Sequence, residues 1–162
     1  MSVNSWKEEF FYNEVKDVTL KCLVERLDKN EADLLLIEYS LTKWKGLSRE
    51  NLDKHNLYSQ GCKVQENPNF KPFTIATATC ALCEVYYYSK DSCNSCPLAQ
   101  SRDGVPCDEQ NLNTISDKEI EDLSPYNAFT VSKDEKPMVE ALEKAKRFVI
   151  KLKEIKYNAS ST

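Results

Sequence analysis

The amino-acid sequence predicts a mainly α fold with minor β: a small helical domain, an inserted cysteine-rich loop module and a long C-terminal helix. Three observations carry this. Leu34, Ile37, Leu41 and Trp44 recur at helical steps. Met138, Leu142, Ala145, Val149 and Leu152 do so again, and five of the seven cysteines crowd into residues 80–107. The chain has 162 residues, one domain's worth. It divides into a helical part (1–58), an extended and cysteine-rich module (59–115) and C-terminal helices (116–157), with a disordered tail at 158–162.

The first element is expected to be a helix with Trp6, Phe10, Val15 and Val18 on its apolar side. Cys22 continues that side as a small buried hydrophobe. The next runs from a cap at Asn30, with Glu31 and Asp33 in the favourable first turn, to a stop at Gly46. Ser48 opens a short helix from Arg49 to Lys54. Residues 59–79 lack helical period. Pro68 and Pro72 mark extended chain, and residues 74–79 read as a short strand. The Ser116-Asp117-Lys118-Glu119 run has capping-box form and opens a helix that Ser124-Pro125-Tyr126 closes. The last helix is expected over 135–156. Asp134 caps it, Pro137 sits where an amide has no acceptor, and Glu140–Lys144 and Glu143–Arg147 stand four apart.

Charge is uneven. The net value is −4. Residues 61–132 carry 5 basic and 10 acidic groups, and residues 133–162 carry 8 and 5. An acidic middle argues against nucleic acid, whose backbone needs cations to replace counterions. The longest apolar runs, such as Leu34–Ile37, are far too short to span a bilayer, so no membrane role is expected. The N-terminal residues show no secretory signal, which points to the cytoplasm.

In a reducing compartment, clustered cysteines favour a metal over disulfides. Cys80, Cys83, Cys93, Cys96 and Cys107 follow the spacing C-x2-C-x9-C-x2-C-x10-C. Each C-x2-C turn can aim two thiolates at one tetrahedral ion. Loop-rich chain of this length cannot bury enough apolar surface by itself, and a structural zinc supplies the missing folding energy. Zinc held by the first four cysteines is the expectation, with an iron–sulfur cluster as the alternative. The only histidine, His55, reads as an exposed residue that could complete a Cys3His site.

No P-loop, G-x-G-x-x-G, G-x-S-x-G or deaminase signature occurs, so a binding role is favoured over catalysis. Two kinds of partner are open. A metal-stapled loop could present a surface to a protein. Alternatively, Trp44, Tyr86, Tyr88 and Tyr126 could stack on the base of a small anionic nucleotide while Lys90 and Arg102 meet its phosphate.

The run Cys80-Ala81-Leu82-Cys83, Cys93-x-x-Cys96-Pro97-Leu98, Gly104-x-x-Cys107, Ser124-Pro125-Tyr126 and Pro137-Met138-Val139-Glu140-Ala141-Leu142 resembles small cysteine-cluster proteins of bacteriophages. Residues 41–47 and 51–57 extend the likeness. The resemblance implies a phage origin and action in the host bacterial cytoplasm. By analogy with accessory phage proteins, it suggests counter-defence, through a host protein or through sequestration of a nucleotide immune signal. It supplies no catalytic residue.

Overall fold

The computed structural model describes residues 2–11, 20–60, 63–67, 69, 71–74, 80–87, 92–108 and 123–161. Helix α1 (Val3–Phe10) starts at Ser2, whose hydroxyl accepts the Ser5 amide while the Ser5 hydroxyl accepts the Ser2 amide. Trp6 is fully buried, and its indole N–H donates to the Gly46 carbonyl at 2.8 Å. In α2 (Leu20–Val24), Leu20 and Val24 stand one turn apart and face the core. Cys22, between them, is exposed and not the buried hydrophobe expected. The expected run of helix through Val15 and Val18 lies outside the described residues.

Helix α3 (Lys29–Lys45) is capped by Asp28, not Asn30: the Asp28 carboxylate accepts the Asn30 amide at 2.8 Å. Gly46 ends it in an ordinary right-handed conformation. The glycine is required there by Phe10, because a Cβ at position 46 would stand 2.5 Å from the Phe10 ring stem. Helix α4 (Arg49–Lys54) begins at Ser48, as expected. The extended chain forms an antiparallel meander of β1 (Tyr58–Gln60), β2 (Lys63–Gln65) and β3 (Phe73–Thr74). Its buried anchor is Val64, paired with Ser59 and Phe73. Residues 75–79 of the expected strand and 116–122 of the expected helix are outside the described set.

The cysteine-rich segment folds as α5 (Ala81–Tyr86), a 3-10 turn (Ser92–Ser95) and α6 (Pro97–Gln100). Helix α7 (Pro125–Ser132) was not expected, and it adds to the reading of Ser124-Pro125-Tyr126 as a stop. These residues open a helix, with Ser124 at the cap position and Pro125 at the first helical position, where proline's fixed φ is pre-organised. Helix α8 (Lys136–Ser160) has Glu135 at its cap position and not the expected Asp134, although the Asp134 carboxylate accepts the Lys136 amide at 3.0 Å.

Helices α3 and α8 form the main seam and run antiparallel. Glu31 pairs with Lys153 at 3.8 Å, Glu38 with Lys146, and Lys45 with Glu143 at 3.3 Å. Between these rails Leu36, Ile37, Leu41 and Trp44 share one core with Met138, Leu142, Ala145 and Val149. Each such side chain contributes about 1.5–3 kcal/mol on burial. Helix α8 has 25 residues, about 37 Å at the standard rise, and it outruns its partner. Lys153 already reaches the first turn of α3, so residues 150–161 are exposed. Leu152, expected on the packed stripe, is 38% exposed for this reason. The helix also continues through residues 158–160, where a disordered tail was expected, because extending a nucleated helix costs little. No helix among the described residues is long and apolar enough to cross a membrane.

Candidate metal centre

One face of α3 carries Lys29, Asp33, Leu36, Ser40 and Lys43 at helical spacing. Asp33, Ser40 and Lys43 are buried, with Lys43 fully enclosed. Burying three polar side chains on a core face is costly unless each has a partner. Asp33 and Ser40 find partners in the cysteine module, and the Lys43 ammonium lies 4.7 Å over the Trp44 ring. Asp33 accepts a short hydrogen bond from the Tyr86 hydroxyl of α5 and pairs with Lys29 at 2.6 Å. Lys29 also donates to the Ser95 carbonyl of the 3-10 turn at 3.3 Å. The Ser40 hydroxyl lies 3.7 Å from the Cys80 sulfur. Hydrophobic periodicity alone hides these residues. The signal that could have found them is that 33, 36, 40 and 43 share a face with a core leucine.

All five clustered cysteines line one small cavity of about 20 Å³, walled otherwise by Leu82, Tyr86, Tyr87, Leu98, Ala99 and Pro106. Cys80 precedes α5 and Cys83 lies in its first turn. Cys93 is in the 3-10 turn, and its carbonyl accepts the Cys96 amide at 3.0 Å. Cys96 precedes α6, where Pro97 opens the helix. Cys107 arrives on a return loop that begins with two left-handed residues, Asp103 (φ 57°) and Gly104 (φ 83°). Glycine adopts that conformation freely and aspartate tolerates it. Arg102 braces the loop, donating to the carbonyls of Val105 at 2.9 Å and of Pro106. The Cys107 carbonyl in turn accepts the Tyr126 amide of α7 at 3.1 Å.

The electrostatics of the cavity favour one thiolate held among thiols. A hydrogen bond from Cys83 draws the Cys80 thiol well below its usual range against the cost of burial, helped by the Lys43 ammonium and by Ser40. The same hydrogen bond, burial and the Cys80, Cys107 and Cys96 sulfurs push Cys83 up. Burial pushes Cys96 up to about 12 against the pull of the Leu98 and Ala99 amides. Cys107 is raised by burial and then by Cys80. Sulfurs that oppose one another's ionisation in a dry pocket are the arrangement that a divalent cation relieves.

Among the described residues, no three Cys, His, Asp or Glu side chains already stand at metal-binding geometry. In residue type, the five thiols lining one cavity are the donors a tetrahedral ion takes. The cavity has room for about one water-sized sphere. The described cysteines are thiols, none in a disulfide.

Of the residues expected to contact a nucleotide, those described each have partners within the fold. Trp44 is buried, edge-on to Phe129 at 4.8 Å and to Tyr126 at 6.4 Å. Tyr86 donates to Asp33, and burial, then that hydrogen bond, raises its hydroxyl pKa. Arg102 serves backbone carbonyls. Tyr88 and Lys90 lie outside the described residues. The open hollow of about 500 Å³ between α7 and α8 is lined by Leu123, Pro125, Ala128, Pro137, Glu140, Ala141 and Lys144, with none of this set.

His55 is buried, not exposed, and far from the cysteine cavity in its contacts. Its ring joins Glu9 at 2.9 Å through Nε2 and Ser5 at 2.9 Å through Nδ1. Lys54 adds a 2.6 Å ion pair to Glu9, and this contact, with His55, lowers the Glu9 carboxyl pKa. The Ser–His–Glu order resembles a hydrolase triad in residue type. However, the Ser5 hydroxyl belongs to the capping box and lies 2.9 Å from the Ser2 carbonyl as a donor. The array therefore ties α1 to α4.

Comparison with known protein families, curated proteins and solved structures returns no match.

Proposed function

We propose that the protein is a non-enzymatic, zinc-stabilised binding protein, phage-encoded and acting on a host protein in the bacterial cytoplasm. The observation that supports the metal is the convergence of five cysteines, from both C-x2-C turns and a braced return loop, on one ion-sized cavity. Zinc would act there as a staple: thiolate ligation would join α5, α6 and the 103–107 loop.

The binding surface is less local. The free end of α8 carries exposed Ile150, Leu152, Ile155 and Tyr157 among Lys151, Lys153 and Lys156. Ile150 and Tyr157 fall on one face of the helix and Leu152 and Ile155 on the other, and exposed apolar side chains set among lysines suit a partner protein that offers apolar contacts with acidic rims.

Two measurements test this reading. Elemental analysis of protein purified without added metal is expected to find one zinc per chain. Protein containing neither zinc nor iron, with disulfides by mass spectrometry, overturns the metal. A pull-down from host lysate is expected to recover one stoichiometric protein that Ile155→Glu no longer retains. Retention by that variant, or release of an intact nucleotide from heated protein, contradicts the proposed partner.

A further inference from the structure

We propose that the free end of α8 is one strand of a two-helix coiled coil whose other strand is an acidic amphipathic helix of the partner protein. The assignment rests on the binding-protein reading above, is independent of the metal, and names the face of α8 and the kind of element that meets it.

Three observations carry it. The first is spacing. Phe148, Leu152, Ile155 and Ala159 follow one another at steps of four, three and four, the repeat of a coiled-coil seam. Phe148, at the inner end, is half-buried and packs against the core. Leu152 and Ile155 are 38% and 65% exposed, because the strip runs on past the start of α3. From Phe148 to Ala159 it spans about 17 Å. A seam rooted in the core and then left open suits a second helix laid along it.

The second is charge. Around the helix, Lys144 and Lys151 border the strip on one side and Lys156 on the other, while Glu154 lies away from it. All three lysines are exposed. Among the described residues Lys144 and Lys151 enter no ion pair, and Lys156 acts at longer range on the Asp28 carboxylate of the α3 cap. Positions beside a seam are where a second helix sets its own charges. Two copies of α8 would oppose lysine to lysine in either orientation: Lys151 to Lys151 and Lys156 to Lys156 when antiparallel, Lys151 to Lys156 when parallel. An occupant with Glu or Asp at those places meets no such repulsion.

The third is width. Ile150 and Tyr157, also exposed, lie on the opposite side of the helix. A helix that rests on an anionic lipid surface gathers its apolar side chains on one broad face. Here that face is a narrow seam, the shape that takes one helix.

The probe is a synthetic helical peptide of three heptads with leucine at the seam and glutamate beside it, labelled for fluorescence anisotropy and added to the full-length protein. It should bind, and a counterpart with lysine in place of glutamate should not. Leu152→Glu should weaken binding by more than about tenfold, whereas Ile150→Glu, on the far side, should stay within about threefold. In the double variant Lys151→Glu, Lys156→Glu the preference should reverse toward the lysine peptide, which a merely structural role for α8 would not produce. Failure of the acidic peptide to bind, equal binding of both peptides, or equal loss in Leu152→Glu and Ile150→Glu overturns the proposal. So does another occupant of the strip: a dimer in sedimentation or binding to phosphatidylglycerol vesicles that Leu152→Glu abolishes, or a carbodiimide cross-link from Lys151 to an acid of its own chain outside α8. A host protein recovered in the pull-down without binding of the acidic peptide rejects the coiled coil and keeps the binding-protein reading. The peptide bound with no host protein recovered does the opposite.

Discussion

Helix α3 meets two neighbours by two different kinds of chemistry. Toward α8 it contributes Leu36, Ile37, Leu41 and Trp44 to a shared apolar core, edged by three ion pairs. Toward the cysteine module it presents Asp33, Ser40 and Lys43, all buried. The first seam is stabilised by removing carbon from water, which is non-directional and tolerant of small shifts. The second is held by particular atom pairs: Tyr86 to Asp33, Lys29 to Ser95, and Ser40 against Cys80. Such pairs contribute less net stability but impose one orientation on the loops they hold. A module of short helices and turns gains from that, because its cysteines must meet at one point.

The two seams should therefore break differently. The largest loss is expected from Leu142→Asp or Val149→Asp. Each places an unpartnered charge in the apolar seam, where the native side chains are essentially inaccessible. Destabilisation of more than about 3 kcal/mol is expected, read as the shift in a urea unfolding midpoint at unchanged slope. Tyr86→Phe comes next. It leaves the buried Asp33 carboxylate without its hydroxyl donor, a loss of about 1.5–3 kcal/mol for a hydrogen bond to a charged group. An unchanged midpoint in Tyr86→Phe would show that the polar seam carries no stability.

Lys43→Met sharpens the comparison in another way. Its methylene stem packs in the core, so a methionine of similar shape should be nearly neutral for folding of the metal-free chain. Zinc affinity should fall by about tenfold, since the ammonium that favours the Cys80 thiolate is gone. Competition with a chromophoric chelator reads this, and equal affinity would remove Lys43 from the centre's electrostatics. The smallest effect is expected at the rails of the apolar seam. Glu38→Ala breaks the exposed pair with Lys146 and should cost at most about 1 kcal/mol, diminishing further at high salt.

The apolar seam was legible in the sequence. Met138, Leu142, Ala145 and Val149 announce one face of a helix because burial of carbon leaves a period. The polar seam left no such trace: Asp33, Ser40 and Lys43 look like solvent-facing residues until the second helix is in place. Leu152 failed for a related reason, since the length of the helix that should cover it is not written in its own neighbourhood. The Ser124-Pro125 pair was read only as a stop, although serine before proline suits a helix start as well. Cys107 was visible as a fifth cysteine. Its route to the cavity depends on two left-handed residues and on Arg102 bonding to carbonyls, none of which composition reveals. Trp44, Tyr86 and Arg102 were picked by chemical type, which says what a side chain can do but not which neighbour already occupies it.

Apolar burial holds the α3–α8 seam, and we propose that a metal holds the cysteine module. Amide hydrogen exchange on the full-length protein, with and without a zinc chelator, tests it directly. Chelation should speed exchange at residues 80–87 and 96–107 by orders of magnitude and leave the amides of residues 36–44 and 138–149 protected. Unchanged exchange in the cysteine module, or equal loss of protection in both regions, would contradict it.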